Sequence, residues 1–570
     1  MVNEFPSAFI TAQCWVRQAT MGLLLEWSIV KTLLLQLGVI AHFLITLWLV
    51  VRVIQQQRHQ SVAIAWIAVL FALPVVGIIG YMLFGEINIG HQYRKRSLMA
   101  QKLLRDFANA QQIDFNQISE NLDTEARQLS NIALLKTGLG VYDHHTLTLM
   151  TDADHIFASL LADIRAANTM ILLEFYIVSP QGRVIELLEA LMEATQRGVS
   201  VHLLADSVGS HAFFRSQWVK KLKDADVFVH ESLPVGLFKT IVKRIDIRNH
   251  RKLAIFDNCY GYTGSFNLID PDFFKQNEHV GKWIDVMIRV ESHDTVNSVK
   301  AMALVTTTDI SAETNANFSS LEKIVNRFTK SFYTKSLYIG TSKLHHHKLQ
   351  HGTNARGVGQ NANKRVPKPP LLNILPLQSN LQAYPSVSQV SLQLIPSAPE
   401  LTGHVIYETL VCAIFAAKKQ VVITTPYFVP DDALLLAITT AAKRGVKVIL
   451  NVPKKVDSLL VRFASQAYFE PLLSAGVQIY LFNAGLLHAK ILCVDDDYCL
   501  FGTVNMDMRS FYLNMEVSMA IYNRTMTQQM LTCQHEYLQQ SEPLQRDGWQ
   551  QRSFGAKFLD NAIRLFSPLL

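Results

Sequence analysis

The chain is 570 residues long, enough for about three or four units rather than one domain. Apolar residues make up 49% and charged residues only 17%, well under the ~25% charged that is usual, so part of the chain is expected in lipid and the rest suffices for a large core. The six cysteines, Cys14, Cys259, Cys412, Cys493, Cys499 and Cys533, form no CxxC pair. That spacing excludes a disulfide framework and a zinc site, and fits reduced thiols in a cytoplasmic region.

Two apolar runs come first in chain order. Residues 32–51 and residues 61–84 are each long enough for a helix across the ~30 Å hydrocarbon core. Pro74 lies inside the second run, tolerable in a membrane helix if neighbouring groups satisfy the freed carbonyl. Trp27, Trp48, Trp66 and Tyr81 lie towards the run ends, where amphipathic rings prefer the interface. A cleaved signal peptide fits poorly, because the first run starts late, is too long and lacks a small-residue cleavage site. Arg94, Lys95, Arg96, Lys102 and Arg105 follow the second run, while the loop between the runs holds only Arg52 and Arg58. The positive-inside bias therefore puts the long C-terminal part in the cytoplasm.

The remainder repeats itself. Residues 171–206 and 421–453 each read as an apolar β-rich run, a turn with proline, a helix-period stretch, Arg-Gly-Val and a second apolar run. The pattern predicts a strand–helix–strand unit twice, with Gly198 and Gly445 ending the helices. Two similar α/β halves follow, expected to meet about a pseudo-twofold axis.

Between the halves, from Glu322 to Glu400, no acidic residue occurs, yet there are ten basic ones: Lys323, Arg327, Lys330, Lys335, Lys343, Lys348, Arg356, Lys364, Arg365 and Lys368. The formal net charge is +7, and removing these ten would leave −3. The Gly/Asn/His/Pro-rich middle, residues 341–370, reads as disordered. It is a solvated loop or a tether to anionic headgroups. His345, His346 and His347 give it weak metal-binding potential.

Downstream of each repeat lies the same segment. The first runs from His250 through Lys252 to Asp257, then Gly264-Ser265-Phe266-Asn267. The second runs from His488 through Lys490 to Asp495, then Gly502-Thr503-Val504-Asn505. In extended chain, residues two apart share a face, so each segment offers an imidazole and an ammonium side by side. A buried lysine without a partner is expensive, and an anion between them is the sensible reason for the pair. Asp257 and Asp495 stand at an odd offset from the histidines and are expected to face away, as structural members of the motif.

This paired motif resembles the phospholipase D superfamily. Within it the chain looks like the bacterial cardiolipin synthases that carry two N-terminal membrane spans. The likeness runs through Ala65-Trp66, Leu73 to Gly77, Tyr81 to Gly85, Asn249 to Lys252, Trp283-Ile284-Asp285, Thr425 to Pro430, Gly502 to Ser510 and Phe566 to Leu570. The basic insert departs from it. The implied fold class is α/β: two phospholipase D-like α/β sandwich halves related by pseudo-twofold symmetry, preceded by two transmembrane helices. The expected divisions are an N-terminal segment (1–30), a two-helix transmembrane region (31–86), a juxtamembrane connector (87–145), half 1 (146–300), a connector with the basic insert (301–390) and half 2 (391–570).

The resemblance also implies chemistry. One histidine attacks the phosphorus of a phosphatidyl donor and the other protonates the leaving alcohol, then deprotonates the incoming one. By family analogy His250 is the nucleophile and His488 the acid/base. The catalytic motif set is His250, Lys252, Asp257, His488, Lys490 and Asp495. Lys252 and Lys490 would hold the non-bridging oxygens, with Ser265, Asn267, Thr503 and Asn505 as further substrate-binding groups. Each histidine needs an orienting acid, and Asp285 is expected on His250 and Glu516 on His488. No cofactor or metal is implied, and no P-loop occurs. The implied reaction is cardiolipin synthesis from two phosphatidylglycerols with release of glycerol, at the bacterial inner membrane, by a multi-pass enzyme with a cytoplasmic catalytic region. The implied partners are phosphatidylglycerol and cardiolipin, with no nucleic acid; protein partners are not readable. A hydrolytic phospholipase D and a phosphatidylserine synthase would share the motif. A nucleic-acid phosphodiesterase would favour a basic, aromatic-lined groove, whereas here the basic residues concentrate in the insert. A non-catalytic membrane scaffold is the alternative of another class, against which the two intact motifs argue.

Overall fold

A computed structural model describes residues 7–56, 60–73, 75–85, 95, 98, 120–235, 246–276, 280–294, 297–313, 384–399 and 404–564. Most of the basic residues after the second apolar run, the middle of the basic insert, and Phe566 to Leu570 lie outside them. There are two compact units, one holding the N-terminal helices and the other the α/β sheet.

In the first unit the initial apolar run belongs to the helix Ser7–Gln55, whose part Ile29–Gln55 is long and apolar enough to cross a membrane. The second run is not one continuous helix. It is helical over Gln60–Ala72, breaks, and resumes as Val76–Gly80 followed by a π-helical turn, Tyr81–Gly85. Proline at position 74 supplies the reason, since it lacks an amide hydrogen and crowds the preceding turn. Val75 beside it takes a positive φ of 63°. The 13-residue piece before the break is about 20 Å long at ~1.5 Å per residue, short of a full crossing. Trp66 and Tyr81, expected at an interface, instead pack edge-on at 5.3 Å in a small core with Leu49, Val53 and Leu70. Trp27 and Trp48 are exposed.

The second unit is built on strands β1 (Val141–Met150), β2 (Met170–Phe175), β3 (Ser200–Asp206), β4 (Phe228–Ser232), β5 (Lys252–Phe256), β6 (Tyr260–Gly264), β7 (Trp283–Ile284) and β8 (Met287–Glu291) in half 1. Half 2 has β9 (Val387–Ser397), β10 (Gln420–Thr424), β11 (Phe428–Val429), β12 (Lys447–Pro453), β13 (Gln478–Phe482), β14 (Leu486–Leu487), β15 (Ile491–Val494), β16 (Tyr498–Gly502), β17 (Met506–Asp507), β18 (Glu516–Tyr522) and β19 (Ser541–Pro543). Fifteen of them form one sheet, ordered β19-β13-β12-β10-β15-β16-β18-β9-β1-β8-β6-β5-β2-β3-β4. Read outward from the β9–β1 pair, both directions give the same succession over six strands, which is the pseudo-twofold, and half 2 adds the edge strand β19. β1 and β9 are antiparallel, with shifts of register between Tyr142 and Leu147.

Strand alternation sorts the side chains into layers. In β5, Leu253 and Ile255 enter a core shared by both halves, while Ala254 and Phe256 enter the outer core of half 1. In β15, Ile491 and Cys493 enter the shared core and Leu492 and Val494 the outer core of half 2. The helices Ser298–Glu313 and Arg524–Gln539 fill the shared layer. The helices of the two strand–helix–strand units, Val184–Gln196 and Asp432–Lys443, cover the outer faces. Each ends as the repeat predicts: Gly198 (φ 87°) and Gly445 (φ 90°) turn left-handed, and the next amide reaches back, Val199 N to Ala194 O and Val446 N to Ala441 O, both at 3.1 Å. A Cβ is strained at that φ, so glycine suits the position.

Candidate active site

The two motif segments lie in extended chain at the entrance to β5 and β15. His250 precedes β5, and both His488 and Lys490 precede β15, so regular strand begins later than the periodicity suggests. Backbone bonds from the opposite half hold these stretches. His250 N donates to Met515 O (2.9 Å), and Met515 N donates to Arg248 O (2.9 Å). Reciprocally, His488 N donates to Ile284 O (2.8 Å), Leu486 N donates to Lys282 O (2.9 Å), and β14 pairs in parallel with β7. Each half thus delivers its histidine onto the segment that carries the other half's acid.

The acids pair the opposite way from the sequence-based expectation. Glu516 holds His250, with Nδ1 at 2.9 and 3.0 Å from its two oxygens. Asp285 holds His488, with Nδ1 at 2.6 Å. All four residues are buried. The exchange follows from the interface: the segment after β6 or β16 returns along the partner half's motif, so an acid lies near the histidine to which it is not linked in sequence.

Ser265 and Thr503, expected to bind substrate, have their hydroxyls engaged elsewhere. Ser265 Oγ donates to Asp285 (2.6 Å) and accepts from Val286 N (2.9 Å). Thr503 Oγ1 donates to Glu516 (2.5 Å) and accepts from Val517 N (3.0 Å). They position the two acids. Asn267 accepts from Ile177 N at 3.1 Å. Its Nδ2, like Oδ1 of Asn505, is a buried amide atom without a hydrogen-bond partner among the described residues.

Lys252 and Lys490 each donate to the carbonyl of the histidine two residues before, at 2.7 and 2.6 Å. A lysine ammonium has three donors, so capacity for an anion remains. The motif aspartates take backbone amides instead. Asp257 accepts from the amides of Asn168, Thr169 and Met170. Asp495 accepts from those of Lys418, Lys419 and Gln420. They pin the starts of β2 and β10.

Burial and crowding of like charge set the electrostatics. Burial, then the Lys252 and Lys490 charges, hold His250 well below its ordinary value. Burial, then Lys490, brings His488 down to about 4, against the pull of Asp285. Burial lowers Lys252 to about 8, and burial with the neighbouring Lys252 lowers Lys490 to about 7. Burial alone would raise Asp285, but His488, Lys490 and Ser265 outweigh it and hold the carboxyl low. Burial pushes Glu516 up to about 8, against Lys252, Thr503 and Asn514. Every group against its oxygens can donate, so the hydrogen bonding suits the carboxylate. Lys252 and Lys490 act on both histidines, which puts the four groups in one electrostatic environment; a bound anion would raise all four.

Several participants were given no role from sequence. Tyr176 packs edge-on against His250 at 4.9 Å, and Trp283 lies 4.4 Å from His488. Arg251, where half 2 has Ala489, is buried and donates to Glu516 O (3.1 Å), Ser397 O (2.9 Å) and the Asp309 carboxylate. Glu174 accepts from Asn249 and Thr306, both at 2.8 Å. A lone charge in the apolar run Ile171 to Phe175 was the available signal for Glu174, and Arg251 opposite Ala489 the signal for the asymmetry.

Comparison with known proteins gives the same assignment. The family model "Cardiolipin synthase, PLD-like domain" matches twice, over residues 160–299 and 410–535, and "Phospholipase_D-nuclease N-terminal" matches residues 44–86. Cardiolipin synthase A of Klebsiella pneumoniae (strain 342) is 34% identical over 539 residues, covering 94% of this chain and 98% of that protein. Cardiolipin synthase A of Escherichia coli O1:K1 / APEC is 34% identical over 546 residues, covering 95% and 99%. Among solved structures, phosphatidylserine synthase of Haemophilus influenzae Rd KW20 shares the fold, with a TM-score of 0.50 at 13% identity, covering 78% of this chain and 100% of that one. With its near full-length identity to these relatives and its doubled motif, the chain belongs to the cardiolipin synthase family of phospholipase D-like enzymes.

Proposed function

We propose that the chain transfers a phosphatidyl group from one phosphatidylglycerol to another, releasing glycerol and forming cardiolipin. The observation that carries this reading is the crossed pair of buried acid–histidine hydrogen bonds, Glu516–His250 and Asp285–His488, each beside a buried lysine. An acid on Nδ1 keeps the proton there and leaves Nε2 as the reactive nitrogen.

In the first step His250 Nε2 attacks phosphorus. The P–O bond to the leaving glycerol breaks as His488 supplies its proton, leaving a phosphatidyl-histidine. In the second step His488 takes the proton from a hydroxyl of the second phosphatidylglycerol, whose oxygen displaces His250. One phosphodiester replaces another, so no nucleotide is consumed. Lys252 and Lys490 hold the non-bridging oxygens, with Asn267 Nδ2 as a further donor. Losing one such fixed donor typically costs ~3 kcal/mol of transition-state stabilisation. A depressed His250 is neutral at pH 7, as a nucleophile must be, whereas His488, at about 4 in the free enzyme, takes up its proton as the negative charge of the bound phosphodiester raises it. The phospholipid substrate and the Ile29–Gln55 helix support a membrane protein. We assign it to the bacterial inner membrane as a multi-pass protein, with Gln60–Ala72 and Val76–Gly85 together making the second crossing, and its catalytic part cytoplasmic, on the basic residues that follow the second apolar run.

Incubating purified protein with phosphatidylglycerol and resolving the lipids tests the reading. Cardiolipin with an equal amount of glycerol is the expected result. Phosphatidic acid alone would make the enzyme a hydrolase. No turnover, with His250→Ala behaving like wild type, would leave a scaffold.

A further inference from the structure

An exposed apolar face adjoins the region around the histidines. Asp457 accepts from the Tyr427 hydroxyl at 2.6 Å and pairs with Lys275 at 3.4 Å. Lys275 Nζ lies 5.8 Å over the Trp283 ring, which packs on His488. The negative charge of Asp457 also acts on Tyr176, the ring against His250. Directly after Asp457, Ser458 caps the helix Leu459–Gln466. Its first two residues, Leu459 and Leu460, are 66% and 56% exposed.

The helix Phe554–Arg564 packs against that helix. Ile563 joins the core of half 2, and buried Asp560 is held by Arg552 at 2.7 Å. The other side is bare: Phe554 and Phe558, one turn apart with rings stacked at 6.2 Å, are 84% and 64% exposed. Scattered single apolar residues on a surface are ordinary, but large apolar side chains bared in pairs on two helices that pack together mark a contact. The flanking charge is mainly basic: residues 454–466 carry Lys455 and Arg462 against Asp457, with Lys454 taken by Glu542 at 2.7 Å, and residues 552–564 carry Lys557 and Arg564, with Arg552 taken by Asp560. Asp457 and Asp560 are already held inside the protein. Exposed aromatic and leucine side chains flanked by lysine and arginine are what an interfacial helix offers an anionic bilayer.

We propose that this face docks on the surface of an anionic phospholipid bilayer. Leu459, Leu460, Phe554 and Phe558 insert among the headgroups, and Lys455 and Arg462 meet lipid phosphates. The inference rests on the lipid-substrate reading and extends it. A phospholipid can offer its phosphorus to a buried site without withdrawing its acyl chains wholly into water only if the site opens against the bilayer. Docking of the adjoining face provides that contact.

The test uses the full-length protein in nanodiscs of phosphatidylglycerol and phosphatidylcholine, with the photoreactive substitution Phe558→p-benzoylphenylalanine. The same substitution at Leu135, exposed on the helix Thr124–Thr137, is the control. Irradiation should attach one phospholipid at position 558 at least about fivefold more often than at 135. Equal labelling, or a crosslink to a second copy of the chain, overturns the proposal. A variant carrying Leu459→Ser, Leu460→Ser, Phe554→Ser and Phe558→Ser should lose about tenfold of its turnover in bilayers and keep its turnover of a short-chain, monomeric phosphatidylglycerol within about twofold. Equal loss on both substrates contradicts docking. If the wild type makes no product from phosphatidylglycerol, the reading of function fails, and the crosslink still decides the surface.

Discussion

Each imidazole depends on an acid from the other half, and the two dependences are separable. Glu516→Gln leaves His250 without a carboxylate on Nδ1, while Asp285→Asn does the same to His488. Wrong tautomer and lost orientation cost about 10²- to 10⁴-fold in turnover in comparable sites. Both substitutions should slow formation of the labelled enzyme in a rapid quench with labelled phosphatidylglycerol, since His488 is proposed to protonate the leaving glycerol in that same step, so double substitutions tell the two apart. Glu516→Gln acts through the nucleophile. Combined with His250→Ala it should cost little more than His250→Ala alone, since groups acting as one unit are not additive. The pH profile is a second residue-scale consequence. His250 is held low by burial and by the two lysines, so the acid limb of kcat/KM should lie below 6.5, where an ordinary histidine titrates. The alkaline side should begin to fall as the low His488 loses the proton it must donate and steepen at about 7 to 8, where Lys490 and then Lys252 lose theirs. Bound phosphodiester favours the protonated lysines, so the alkaline limb of kcat should lie higher than that of kcat/KM. Coincident limbs would mean that the lysines do not face the anion.

At the scale of elements, the motif aspartates hold backbone amides of the sheet. Asp257 and Asp495 sit at φ 50° and 51°, directly after β5 and β15, and gather the amides that open β2 and β10. Asp257→Ala and Asp495→Ala should each destabilise the fold by about 1–3 kcal/mol, the usual cost of orphaned polar groups, read as a lower Tm. Turnover of the folded fraction should stay within about threefold; a collapse of kcat at unchanged Tm would put them in the chemistry. Their odd offset from the histidines was readable from sequence, as were the doubled strand–helix–strand units, because period and glycine position are local properties. The crossed acids were not. Asp285 is closer in sequence to His250, and only the pairing of β7 with β14 brings it to His488, as the bridge of Asn249 with Met515 brings Glu516 to His250. Ser265 and Thr503 looked like ligands because residue type shows a donor but not where it points. In the second apolar run hydropathy counted 24 residues as one span, whereas a proline within the sequence decides whether one helix can use them.

At the scale of the whole catalytic unit, duplication made a single site from two incomplete ones. The sheet runs unbroken through β9 and β1, and side chains of both halves fill one shared core. Half 1 alone has a histidine whose acid is Glu516, and half 2 alone has one whose acid is Asp285. The symmetry is broken behind His250, where Arg251 joins Glu516 to Ser397 and Asp309 and half 2 has only Ala489. That difference gives the two imidazoles unlike surroundings, as the unlike roles proposed for them require. The most direct test of the account is turnover of phosphatidylglycerol by His250→Ala and by His488→Ala, each purified and confirmed as folded. One shared phosphorus predicts that either change alone removes at least about 10³-fold of the activity, and that mixing the two proteins restores none. Two independent sites would leave about half the wild-type rate in each variant, and that result would contradict the account.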